Sequence, residues 1–196
     1  MIDFEETEFQ LRTEKVQKNM FENNVDAILL CTEPEVRYFT GFRSLFWQSP
    51  TRPWFVVIPK NGKPIAIIPD IGRDLMTRTW IDDIRTWPSP RREDEGISLL
   101  VEVLEGAKNI GILMGEEASL RMPLEDFEKL KLKIDGTFSD CSKIIKKVRL
   151  IKSEKEILIL KNICSVANRS FDRANRLFFS GQPLNEAFRE FKIALL

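Results

Sequence analysis

The strongest structural signal in the chain lies near its C-terminal end, in VRLIKSEKEILILKNICSVANRSFDRANRLFF from Val148 to Phe179. Ser153 is followed three residues later by Glu156, the spacing at which each side chain satisfies an orphan backbone donor at a helix N-terminus. Ser153 is therefore the expected N-cap. From there Ile157, Leu160, Cys164, Ala167, Phe171, Ala174 and Phe178 recur in steps of three and four, which places them on one helix face. Neither Gly nor Pro intervenes before Gly181 and Pro183, so one helix of about 26 residues, roughly 39 Å long, is expected. A helix with one apolar stripe must bury that stripe against another element. The residues that follow, Leu184 to Leu196, supply one more short helix, so the stripe reads as the opening layer of a second domain.

Composition narrows the class. Hydrophobic residues make up 43% and charged residues 31% of the 196 residues, the balance of a globular protein and not of a disordered one. Thirty basic residues offset thirty acidic ones, so no net field favours nucleic acid or an anionic membrane. The first ten residues, MIDFEETEFQ, are acidic where a secretion signal is basic and then apolar, and no window holds the apolar run of about 18 residues that a membrane span needs. A cytoplasmic location is expected. Cys31, Cys141 and Cys164 are odd in number and set among apolar residues, which reads as buried, reduced thiols. The chain contains no His, and this excludes a Ser-His-Asp or Cys-His catalytic set and any imidazole metal ligand from these residues.

Ahead of the long helix the elements alternate. Glu5 to Asn23 carries Phe9, Val16 and Met20 among charges, the pattern of a surface helix lying on a core. Val25 to Leu30 is a short, nearly continuous apolar run suited to a strand covered on both faces, and Pro34 is expected to break the chain before VRYFTGF at Val36 to Phe42. WFVVI at Trp54 to Ile58 and IAII at Ile65 to Ile68 flank Asn61-Gly62, a hairpin signal, so this pair is predicted to be antiparallel. A short helix over Asp70 to Trp80, a strand at Ile84 to Trp87, a helix at Gly96 to Leu104 and a strand at Asn109 to Leu113 follow. Pro123 to Leu132 reads as a helix with Leu124, Phe127 and Leu130 inward, then a strand at Ile134 to Phe138 and a short helix at Ser142 to Val148. The expected fold is α/β, a mixed sheet flanked by helices, with no internal repeat.

In this order the segments VDAILL, VRYFTGF, the WFVVI and IAII hairpin, and KKVRLIKSEKEILILKNICSVAN resemble the N-terminal domain and domain junction of the creatinase, prolidase and aminopeptidase P family of pita-bread metallohydrolases. Arg149-Leu150-Ile151-Lys152-Ser153 leading into Glu156-Ile157 is the most specific part, and Tyr38-Phe39-Thr40-Gly41-Phe42 the next. The resemblance implies a creatinase-like N-terminal domain over residues 1–147. Residues 148–196 would then be the junction and first helices of a pita-bread catalytic domain that is incomplete here, with Gly181 to Glu186 similar to the loop into its second helix.

It also implies the chemistry. In this family Asp, His and Glu side chains of the C-terminal domain hold two divalent metals, Mn, Co or Zn, that activate a water, or no metal in the creatinase type. None of those ligand motifs is matched in this chain. The resemblance therefore implies the front part of a hydrolase, an Xaa-Pro dipeptidase, an aminopeptidase P or a creatinase-like enzyme. Its substrate would be a proline-containing peptide or a small C–N compound, and the 196 residues alone are expected to be inactive. Family members pair as homodimers in which the N-terminal domain of one subunit borders the active site of the other, through the loop after the Gly-Phe segment. Here that loop offers Phe46, Trp47 and Arg52. An Arg grips a carboxylate in a bidentate fork, and an aromatic face packs on a proline ring or a methylated cationic nitrogen. The plain alternative makes Phe46 and Trp47 packing residues and Arg52 a solvated charge. A second functional class, a non-catalytic dimerisation or small-ligand-binding module, is also open at this point. Asp82-Asp83, Glu93-Asp94-Glu95 and the run Lys143, Lys146 and Lys147 read as surface charge.

Overall fold

The computed structural model describes residues 4–49 and 52–196. The chain divides into two compact units, one reaching to Leu150 and the other spanning Ile151–Leu196.

In the first unit a six-stranded mixed sheet is built around β1 (Ala27–Leu30), whose four residues are all buried. Ala27 and Leu29 enter the core on one face and Ile28 and Leu30 the core on the other, as the two-residue strand period requires. β2 (Phe55–Pro59) runs antiparallel to β1, with Ile58 opposite Ile28. β3 (Ile65–Pro69) returns antiparallel to β2, across a hairpin in which Gly62 takes φ 88°. β4 (Ile84–Trp87) lies parallel to β3. On the far side of β1, β5 (Asn109–Ile112) and β6 (Thr137–Asp140) add in parallel. The order is β4-β3-β2-β1-β5-β6, and among the described strands β2 alone runs against the rest.

Helices cover both faces. α1 (Glu6–Glu22), α2 (Glu33–Thr40) and α3 (Arg73–Met76) contribute Val16, Met20, Phe39 and Met76 to the core that takes Ile28, Leu30 and Ile58. α4 (Ile97–Leu104) and α5 (Leu124–Lys133) contribute Leu100, Leu104 and Leu130 to the core that takes Leu29, Phe55 and Ile110. α6 (Ser142–Leu150) returns to the first face through Ile144, Ile145 and Val148. The junction between β1 and β5 is held electrostatically. Asp26 Oδ2 accepts from the backbone N–H of Lys108 and of Asn109, each at 3.0 Å. These two donors hold the Asp26 carboxyl below its usual range.

Several expectations are corrected here. Pro34 does not break the chain; it sits in the first turn of α2, where its missing N–H would be an orphan in any case. That helix ends at Gly41, whose φ of 77° and N–H to the Arg37 carbonyl make the left-handed cap. The helix expected over Asp70 to Trp80 is a 3₁₀ turn at Asp70–Gly72 followed by the four residues of α3. Leu124 is 73% exposed while Leu130 is buried. Six residues separate them, which puts them about 120° apart around the helix.

The second unit begins at the expected cap. Ser153 Oγ accepts from the Glu156 N–H at 3.1 Å, and Glu156 Oε2 accepts from the Ser153 N–H at 2.8 Å. The helix it starts, α7 (Glu154–Asp172), is shorter than the single long helix expected. Beyond Arg173 there is only the four-residue α8 (Ala174–Leu177) before Phe178 adopts extended dihedrals. Two features account for the stop. The Ser170 hydroxyl bonds the Val166 carbonyl four residues back, a pattern that bends helices. Past the break, the chain returns through α9 (Leu184–Ala194), so that Phe171 and Phe178 both pack on Phe191, with ring centroids 5.1 and 5.7 Å away. Cys164, expected to be buried, is exposed, whereas Cys31 and Cys141 are buried; it shares its stripe with Ile157 and Leu160, which are 41% and 46% exposed. No helix of the described residues is long and apolar enough to cross a membrane.

Candidate functional site

Because β2 runs against the other strands, its start lies at the same end of the sheet as the carboxyl ends of β1, β5 and β6. The loops that gather there are the segment entering β2, at residues 43–49 and 52–54, and the connections that follow β1, β4, β5 and β6. Ligands of open α/β sheets bind outside these strand ends, where several chain segments converge on one opening.

The segment entering β2 carries the three residues singled out from sequence. Its first part is a 3₁₀ turn, Leu45–Gln48, capped by Ser44, whose Oγ accepts from the Phe46 N–H at 3.1 Å. The Ser49 N–H closes the turn on the Phe46 carbonyl at 3.0 Å. Trp47 points inward and is 8% exposed, meeting Phe42 edge-on at 6.3 Å and Trp54 at 5.8 Å. Phe46 points outward, 42% exposed, with its ring stacked at 6.1 Å and 16° on Trp54. Thus the two aromatics, adjacent in sequence, divide the work: one anchors the turn and the other is displayed. Arg52 is half-buried and close enough to Glu95 for its charge to act on that carboxyl.

Two neighbours of this segment were not visible in the sequence. Glu95, read as surface charge, accepts from Trp87 Nε1 at 2.8 Å, Ser89 Oγ at 2.7 Å and the Arg91 N–H at 2.6 Å. Burial pushes its carboxyl up, but those donors and the Arg52 charge outweigh burial and hold it below the usual range. Arg121, from the connection after β5, donates through Nη1 to the Arg52 carbonyl at 2.8 Å and through Nη2 to the Ser49 carbonyl. Its guanidinium also lies 5.2 Å from the centre of the Trp47 ring. Nothing local marks Arg121, because its partners lie 69 and 72 positions away. A second hollow of about 240 Å³ opens at the same sheet end, lined by Thr32, Glu35, Ser119, Ser142, Lys146 and Arg149 among others. There Glu35 accepts from Thr32 Oγ1 and from Arg149 Nη1.

Among the described residues no three of His, Cys, Asp or Glu gather closely enough to hold a metal ion. Asp82 pairs with Lys63 at 3.0 Å and Asp83 with Arg85 at 3.1 Å.

The layered α/β unit combines a single reversed strand among the described strands with an aromatic and cationic loop at the strand ends. The chain belongs to the Creatinase/Prolidase N-terminal domain family, whose sequence profile matches residues 12–151. It is 27% identical over 160 residues to the Xaa-Pro dipeptidase of Pyrococcus horikoshii, a match covering 81% of this chain and 40% of that protein. It is 26% identical over 184 residues to an uncharacterised hydrolase/peptidase of Sinorhizobium fredii, covering 89% and 46% respectively. Among solved structures, prolidase from Pyrococcus horikoshii superposes with a TM-score of 0.71 at 23% identity, covering 94% of this chain and 48% of that one. Recombinant prolidase from Thermococcus sibiricus gives 0.78 at 18% identity, covering 100% and 50%. These superpositions establish the fold. The chain spans less than half the length of both curated relatives.

Proposed function

We propose that this chain is the N-terminal part of a hydrolase of the Xaa-Pro dipeptidase type, and that its own residues pair subunits and shape a neighbouring subunit's active site. The observation that carries this reading is the sequence match to the Pyrococcus horikoshii Xaa-Pro dipeptidase, which runs over most of this chain. Catalysis is assigned to a metal-binding domain outside these residues, since the ligands it needs are not gathered here. The substrate is a proline-containing dipeptide and the assembly a homodimer. A cytoplasmic setting accords with three free thiols.

Within this reading Phe46 is the surface that packs on a proline ring and Arg52 the cation that grips a substrate carboxylate, while Trp47 anchors the turn beneath them. A displayed aromatic held by a buried one is a rigid contact, and rigidity spares the entropy cost of ordering a loop upon binding.

Two measurements test the proposal. The purified 196-residue chain, supplied with Mn²⁺ and an Xaa-Pro dipeptide, is expected to release no proline; turnover by this chain would overturn the assignment of catalysis elsewhere. In a polypeptide that carries these residues together with a pita-bread domain, Arg52→Ala is expected to raise KM for the dipeptide by about tenfold, the loss of one charge-assisted contact. Unchanged kinetics would remove Arg52 from the substrate.

A further inference from the structure

We propose that Arg121 is the positioning residue of the loop entering β2, setting where Phe46 and Arg52 stand; the inference rests on the substrate-facing role proposed above for that loop. Four observations carry it. Arg121 reaches across the sheet end to the two carbonyls, of Ser49 and Arg52, that follow the turn. Its guanidinium carbon stands 5.2 Å from the centre of the Trp47 ring, the residue that anchors the turn from below. Among the described residues it makes no ion pair, so the donors that a surface Arg usually turns to a carboxylate are committed to main chain. It is also partly buried, which disfavours its charge, and Glu33 in the first turn of α2 offsets part of that cost.

The side-chain chemistry suits this task and few others. A guanidinium presents parallel N–H donors from one plane and offers its face to an aromatic ring, so one residue can hold two carbonyls and an indole together. A Lys ammonium is a point charge without the planar fork that reaches both carbonyls beside the Trp47 ring. Upstream, Ser44 caps the turn at Phe46; downstream, Arg121 fixes Ser49. Phe46 is therefore pinned from both sides, and its ring is displayed in one orientation against Trp54.

The experiment has an exchange arm and a kinetic arm. In the 196-residue chain, hydrogen exchange is followed at the Ser49 amide, which closes the turn, with the amides of β1 as internal reference. Arg121→Met is expected to speed Ser49 exchange by about tenfold or more with β1 unchanged, and Arg121→Lys by an intermediate amount. In the polypeptide carrying a pita-bread domain, Arg121→Met is expected to raise KM for the Xaa-Pro dipeptide about fivefold with kcat within about twofold, and Arg121→Lys to restore part of it. In a Phe46→Ala/Arg52→Ala background the same change should move KM by less than about twofold, because both contacts it positions are already gone. Ser49 exchange unaltered in both variants would overturn the clamp whatever the kinetics. Faster exchange with a full KM effect persisting in the Phe46→Ala/Arg52→Ala background would overturn the positioning role and leave the proposed function standing. Faster exchange with KM insensitive to Arg52→Ala and Arg121→Met alike would remove the substrate-facing role itself, and the positioning role with it. Should Arg121→Met not fold, Arg121→Lys, which keeps the charge, serves for every comparison.

Discussion

Replacing Asp26 with Ala removes the one acceptor that serves the backbone N–H groups of Lys108 and Asn109, each at 3.0 Å. Hydrogen bonds to a charged group are worth about 1.5–3 kcal/mol each. The Asp26 side chain is 32% exposed, so water screens the carboxylate and replaces part of what is lost. A net cost of about 2 kcal/mol is expected, and about 1 kcal/mol for Asp26→Asn, which keeps a neutral acceptor. Urea unfolding followed by circular dichroism measures it. With a slope of about 2 kcal/mol per molar urea, the Ala variant should unfold about 1 M earlier. The sign of the pH dependence follows from the Asp26 carboxyl, which is held below its usual range by Asn109 and Lys108. A depressed carboxyl stabilises the fold above its unfolded value, near 3.9, and that contribution is lost as pH falls through the folded value. The gap between wild type and Asp26→Ala should thus be full at about pH 7 and clearly smaller at about pH 3. A midpoint shift below about 0.2 M, or an equal gap at both pH values, would refute the electrostatic account of the β1–β5 junction.

Two further outcomes are expected. Gly41→Ala forces a side chain onto φ 77° and brings its Cβ to 2.8 Å from Phe9 Cζ, so a loss of about 2–3 kcal/mol and a Tm lower by about 5–10 °C are expected in a thermal melt. Thiol titration should find one fast-reacting group, Cys164, in the native chain, with Cys31 and Cys141 reacting only in denaturant. Burial pushes both buried thiols up, Cys141 to about 12 with further help from the Asp140 charge, and suppresses the reactive thiolate. Three fast thiols would contradict the packing at β1.

The sheet was largely legible in the sequence because its signals are local. Asn61-Gly62 announces a tight hairpin, an unbroken AILL announces a strand covered on both faces, and Ser153 with Glu156 announces a helix start. What escaped depends on contacts made at a distance or on geometry at element ends. Glu33 to Thr40 mixes a Pro with β-branched and aromatic residues, and only packing of Val36 and Phe39 into the core selects the helix. The stop after Asp172 follows partly from Ser170 within α7 and partly from the return of α9 against Phe171 and Phe178, a contact that α7 alone does not encode. At the candidate site the loop and its residue types were apparent, whereas the inward turn of Trp47 and the hydrogen-bonded role of Glu95 depend on how short loops fold back on themselves, and the reach of Arg121 depends on partners 69 and 72 positions away.

That sheet order also dictates a schedule. β1, β2 and β3 follow one another in the chain and can close once Pro69 has been made, but the neighbour on the other side of β1 ends at Ile112. At synthesis rates of about 5–20 residues per second, the roughly 40 intervening residues leave that edge of β1 open for about 2–8 s. An open, apolar strand edge invites pairing with another nascent chain. Asp26, whose carboxylate later receives β5, stands at the head of that edge throughout the wait. One charge guards the edge against strangers and then recognises the strand that belongs there.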